Sequence, residues 1–126
     1  MAHYVISFIL AFWGPIPFHS HRGAEVRAIA ADIASTDCRP LECLEIANIA
    51  ALESGFERAA IGKLGEVGAF QNLHGDPSAK AALKLLRTQR MLGYVGCPTE
   101  TESCMHLVAN RTVKAIVFNS SHPYEQ

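Results

Sequence analysis

Apolar residues first appear along this chain as one near-continuous run and then settle into helical spacing. Val5 to Phe18 reads VISFILAFWGPIPF, interrupted by Gly14, Pro15 and Pro17. The run is short for a membrane-spanning helix and has the length of the apolar part of an export signal. Residues 1–20 are therefore read as an export signal or anchor, with an N-terminal arm packed on the core as the alternative. The fold of residues 21–126 is expected not to depend on them. From Gly23 to Thr36, Val26, Ile29 and Ile33 recur at three and four, which predicts an amphipathic helix. Arg39-Pro40 restarts the chain, with Pro40 suited to a first helical position. Glu42 and Glu45 favour the positive end of the helix dipole. Leu41 to Leu52, nearly all apolar after Glu45, predicts a helix buried on most sides.

The pattern then loses its period. Gly55, Gly62, Gly65, Gly68 and Gly75 punctuate a stretch too glycine-rich for one helix, and a structured loop with a short β-hairpin around Gly65 is expected. Asp76 as N-cap and Pro77 at the first helical position predict a helix running to about Leu92. Ala82, Leu85, Leu86 and Leu92 form its buried face. Gly93 and Gly96 end it, and Thr99-x-x-Glu102 reads as a capping box for a helix carrying Cys104, Leu107 and Val108 on one side. Val113 to Phe118 is a last apolar helical stretch, stopped by Asn119, Ser120, Ser121 and Pro123. The fold class is thus mainly α.

Composition narrows the function classes. The chain has 126 residues, 49% hydrophobic and 18% charged, with a formal net charge of −1. This is one globular domain without the basic excess that nucleic acid or an anionic membrane would attract. Any membrane contact is expected only through residues 1–20. The four cysteines fall into local pairs, Cys38 with Cys43 and Cys97 with Cys104. Beside an export-like N-terminus this suggests two short-loop disulfides, with a zinc site or buried free thiols as alternatives. His19-x-His21 is not a helical metal pair, and no H-E-x-x-H, P-loop or dinucleotide fingerprint occurs. Neither metal nor cofactor is expected.

Glu53 is the candidate for chemistry. It follows Ile46 and Ile49 at helical spacing, so all three share one face. A carboxylate ending an apolar stripe is costly. Desolvation there would favour the protonated form, which is what a glycosidic oxygen needs in a leaving-group acid.

The residues downstream strengthen this reading. Glu53-Ser54-x-Phe56, then Ala60, then Gly65-x-x-Gly68-x-x-Gln71 resembles the signature of the soluble lytic transglycosylases of the lysozyme-like superfamily, interval for interval. A fainter likeness lies at Ala115 to Ser121. There the family has Ala-x-x-Tyr-Asn-x-Gly, and this chain keeps Asn119 but carries Phe118 for the Tyr and Ser121 for the Gly. Gly62 stands where that family usually has Ser.

The resemblance implies a lysozyme-like helical domain over residues 21–126, with the glycine loop beside the catalytic helix. It also implies an exported, periplasmic, extracellular or phage-associated monomer acting on peptidoglycan glycan strands. Glu53 would protonate the β-1,4 bond between N-acetylmuramic acid and N-acetylglucosamine. It would then take the proton of the sugar's 6-hydroxyl as that oxygen closes the 1,6-anhydro ring. Ser54 would orient Glu53. Phe70, Gln71 and Asn119 would bind substrate or support the cleft, while Gly65 and Gly68 would shape the loop. A goose-type hydrolase of the same bond is the alternative. It would need a second carboxylate ~5 to 9 Å away, with Glu66 ahead of Glu57 and Asp76. An inactive glycan-binding or structural module is the other alternative, favoured by the absent Tyr hydroxyl.

Overall fold

A computed structural model of the chain describes residues 1–13, 16–73 and 75–91. Among them the protein is mainly α, with four helices and no strand: α1 (Ala2–Trp13), α2 (His21–Ala34), α3 (Pro40–Ser54) and α4 (Ala79–Met91). The helices expected after Gly96 lie outside the described residues.

The N-terminal apolar run forms α1. Val5 and Ile9, one turn apart, enter the core against α2 and α3. Removing α1 would therefore expose apolar faces of both partners, against the expectation that the rest of the fold is indifferent to it. No helix among the described residues is long and apolar enough to cross a membrane.

Helix α2 begins slightly earlier than the periodicity suggests, because Ser20 caps it. The Ser20 Oγ accepts from the Gly23 amide at 3.0 Å, satisfying a donor the helix cannot. Gly23 is needed where the incoming chain crosses, since a Cβ there would lie 2.3 Å from the Pro17 carbonyl oxygen. Val26, Ile29, Ala30 and Ile33 form the buried stripe. The Cys38–Cys43 disulfide, with Cα atoms 5.5 Å apart, then ties the α2–α3 connection to the first turn of α3. Cys97 and Cys104 lie outside the described residues.

Helix α3 is the central element, buried on most sides as its composition predicts. Pro40 opens it, and the Glu42 carboxylate accepts from the Arg39 amide at 2.9 Å. Gly55 ends it in the left-handed conformation (φ 60). There the Gly55 amide donates to Ala51 and the Phe56 amide to Ala50, closing the helix on orphan carbonyls. Two acidic residues of this fold have gone inside with arginine partners. Glu42 takes two hydrogen bonds of 2.9 Å from Arg87 of α4. Glu25 of α2 takes three from Arg58, of 2.7 to 2.9 Å, which anchors the glycine-rich loop on α2.

That loop folds back as expected, but it builds isolated antiparallel bridges rather than a hairpin of strands. Val67 pairs with Ile61 on one side and Asn72 on the other. Too few successive residues pair to make a ladder, because positive φ angles at Gly65 (84) and Gly68 (81) turn the chain repeatedly. Gly68 is doubly constrained, since a Cβ there would also lie 2.6 Å from the Pro77 side chain.

Helix α4 starts at Ala79, later than Asp76-Pro77 suggests. The Asp76 carboxylate accepts from the Ser78 amide, and Asp32 of α2 accepts from the Ala79 amide at 2.8 Å. The Ser78 hydroxyl accepts from the Ala81 amide at 3.1 Å, so Ser78 and a tertiary partner share the capping role assigned to Asp76. The helix buries Ala79, Ala82, Leu83 and Leu86, while Leu85 is 50% exposed. Leu83, at 3%, takes the inward position that the sequence pattern assigned to Leu85.

Candidate active site

The C-terminal half of α3, the loop after Gly68 and the middle of α4 enclose a cavity of ≈ 410 Å³. Helix α3 contributes Glu45, Asn48, Ile49, Leu52 and Glu53, spaced at three and four so that one face looks into the space. The loop supplies Phe70, Gln71 and Asn72, and α4 supplies Ala82, Leu85, Leu86 and Gln89. Glu53 thereby shares the cavity with its motif partner Gln71 and with Phe70 of the same loop. Its environment is more open than the stripe pattern implies. Ile46 is buried, Ile49 half-buried and Glu53 exposed, so the apolar cover runs out along the last turn of α3.

The neighbouring motif residues hold the wall of the cavity. Ser54 is buried, and its hydroxyl lies 2.7 Å from the Ala69 carbonyl and 3.1 Å from that of Ala50, while it accepts from the Glu57 amide at 3.0 Å. It therefore pins the end of α3 to the loop and makes none of these bonds with Glu53. Successive helical side chains point about 100° apart, so adjacency in sequence separates them. Gln71 adopts positive φ (52), uncommon for a residue with a Cβ. Its side-chain amide holds that turn closed by donating to the Gly68 carbonyl at 2.8 Å and the Ala60 carbonyl at 3.1 Å. Phe56, also at positive φ (64), lies in the core. Gly65 is exposed at the tip of the fold-back.

None of the three sequence candidates for a second carboxylate lines this cavity. Glu66 is folded over its own turn, accepting from the Leu64 amide at 2.8 Å. A Cβ on residue 62 would fall 2.0 Å from the Glu66 carboxylate, which accounts for glycine there. Glu57 faces His21 at 3.0 Å, and Asp76 caps the turn at Ser78. The Ser78 hydroxyl first, and then its amide, hold the Asp76 carboxyl below its usual range. Asn119 lies outside the described residues.

No family model matches the chain, nor does any curated protein or solved structure.

Three features escaped the sequence reading. Glu45 reads as a dipole-compensating residue and Asn48 as an unremarked polar position, yet both are buried and both line the cavity. The available signal was their spacing of three and four with Leu52 along a helix otherwise apolar. Asn72 is buried as well and donates to the Asp76 and Ser78 carbonyls at 2.9 and 3.1 Å, fixing the loop to the start of α4. Away from the cavity, ligand atoms of His21, Glu25 and Glu57 come within 4.8 Å of one another. The Arg58 guanidinium already occupies Glu25, leaving that group with its charge compensated. Burial pushes the Glu25 carboxyl up, but the Arg58 hydrogen bonds and charge outweigh it and the net shift is downward.

Proposed function

We propose that the protein is a peptidoglycan lytic transglycosylase with Glu53 as its single catalytic acid and base. The observation that carries this reading is the position of Glu53 on the wall of the α3–α4 cavity, opposite the loop that bears Phe70 and Gln71. Glu53 and Gln71 belong to one motif and Phe70 lies within its loop, and the three line a space open to solvent. A glycan strand lying across that opening would strip water from Glu53, and desolvation favours the protonated carboxyl that a leaving-group acid requires. After departure of the alcohol, the carboxylate would remove the proton of the 6-hydroxyl as that oxygen attacks the anomeric carbon. This path needs one carboxylate; Glu57, Glu66 and Asp76 are engaged elsewhere, while Glu45 is the other carboxylate that lines the cavity, eight residues before Glu53 on α3. An exported setting is supported by the Cys38–Cys43 bridge, since disulfides persist mainly in oxidising compartments.

The test is digestion of purified peptidoglycan by the protein and by Glu53→Gln, with products identified by mass spectrometry. Anhydromuropeptides from the unaltered protein alone are the expected result. Reducing-end products would replace the reading with a hydrolase, and the absence of products from a folded sample would replace it with a binding module.

A further inference from the structure

A second cavity, of ≈ 220 Å³, lies between α2 and the glycine-rich loop and shares only Phe70 with the one that holds Glu53. Its walls carry one charge of each sign, Asp32 from α2 and Arg58 from the loop. Glu25, Ile29 and Asp32 follow one another at four and three along α2 and so share one face. Arg58 is held at the Glu25 end, where its Nε and Nη2 donate to Glu25 Oε1 at 2.9 and 2.8 Å. Asp32 lies two turns further on, about 10.5 Å of axial rise, and the two make no ion pair with each other. Among the described residues Asp32 has no cationic partner. Its one hydrogen bond is at Oδ2, from the Ala79 amide at 2.8 Å. The Nη1 group of Arg58 is likewise unengaged, since only the amide, Nε and Nη2 of that residue donate.

Charge and size together select the ligand. A lone cation would answer Asp32 only, and a lone anion Arg58 only. A molecule carrying both signs answers both. Charge-assisted hydrogen bonds of about 2.8 Å at each end, with the ammonium and carboxylate of an α-amino acid roughly 3 Å apart between them, span about 9 Å. That is close to the separation along α2. The volume is that of about seven waters at the ~30 Å³ each takes in the liquid, which suits an amino acid of the size of alanine and not a peptide. Ile29, Ala69, Phe70 and Pro77 give the space an apolar lining between the charges, as a small-molecule site with a few placed polar groups has. We propose that this cavity binds a small α-amino acid as its zwitterion. The ammonium pairs with Asp32, the carboxylate with Arg58, and the side chain rests on Ile29 and Phe70. The site is separate from the glycan reading and stands whether or not that reading does.

The test is a titration of the full chain, followed by amide chemical shifts in nuclear magnetic resonance. The probes are L- and D-alanine, propanoate, which lacks the ammonium, and ethylamine, which lacks the carboxylate. One enantiomer of alanine is expected to saturate at a Kd of about 1 mM, the range open to so small a ligand, with the largest shifts at Ala69 and Phe70. Propanoate and ethylamine should each bind about tenfold more weakly, the size of one lost hydrogen bond to a charged group. Asp32→Asn keeps an oxygen for the Ala79 amide but removes the charge. It should weaken alanine about tenfold and leave propanoate unchanged. If that variant does not fold, the three probe types on the unaltered protein decide the matter alone. Absence of saturable binding by either enantiomer, shifts confined to other parts of the chain, or an analogue that binds as tightly as alanine overturns the proposal. So does a folded Asp32→Asn protein that binds alanine as well as the unaltered one.

Discussion

The buried pair between Glu42 and Arg87 makes the stability of this protein depend on acid in a way that can be worked from the structure. Glu42 is 2% exposed and receives two hydrogen bonds of 2.9 Å from the Arg87 guanidinium. Those bonds, the Arg39 amide and the two positive charges outweigh burial and bring its carboxyl from the usual 4.5 to about 2. A shift of that size corresponds to about 3 kcal/mol. The Arg87 side chain is 41% exposed, so water screens part of this, and about 2 kcal/mol is the working figure. Because the folded value lies below the unfolded one, the contribution is fully present above pH 4.5 and is lost as pH falls through 2. Urea unfolding of the protein and of Glu42→Gln at intervals from about pH 6 to pH 2 measures it. The variant should be less stable at neutral pH, and its stability should fall by about 2 kcal/mol less across the acid window. Parallel pH profiles for the two proteins would refute the assignment.

Other substitutions test other parts of the fold. Gly68→Ala meets both the positive φ of 81 and the Pro77 side chain, and should cost about 1–3 kcal/mol; an unchanged melting midpoint would count against the loop geometry. Ile9→Ala in the full chain should cost about 2–5 kcal/mol if α1 belongs to the core, as a buried large-to-small change does, and indifference would detach α1 from it. Loss of peptidoglycan cleavage in Glu53→Gln should come without loss of stability, since Glu53 is exposed; a fall in midpoint similar to that of Ile9→Ala would make Glu53 a structural residue.

Local chemistry was legible wherever the deciding partners are near in sequence. The three-and-four spacing of Val26, Ile29 and Ile33 marks the buried stripe of α2, and Pro40 opens α3. The glycines between Gly55 and Gly75 mark turns that four of them make with positive φ. Glu53, Phe70 and Gln71 line one cavity, while the openness around Glu53 was not anticipated.

Long-range partners decided the rest. Asp76-Pro77 is a strong local helix start, yet α4 begins at Ala79, capped by the Ser78 hydroxyl at the Ala81 amide and by Asp32, 47 residues away, at the Ala79 amide. Leu83 faces inward on α4 where the pattern placed Leu85. In sequence Glu42 reads only as a residue favoured by the helix dipole and Glu25 carries no signal, but Arg58 and Arg87, 33 and 45 residues distant from Glu25 and Glu42, let them be buried with their charges compensated. Asn48 and Glu45 became cavity residues only because α4 and the loop after Gly68 close around that side of α3. Between residues 21 and 91 sequence alone therefore determined where the chain turns and which segments are helical, since those depend on backbone conformation and the next few residues; it did not mark α1 as a helix of the core. The tertiary structure decided which polar groups are paired, buried or left facing the cavity, because those energies come from partners that periodicity along the chain does not register.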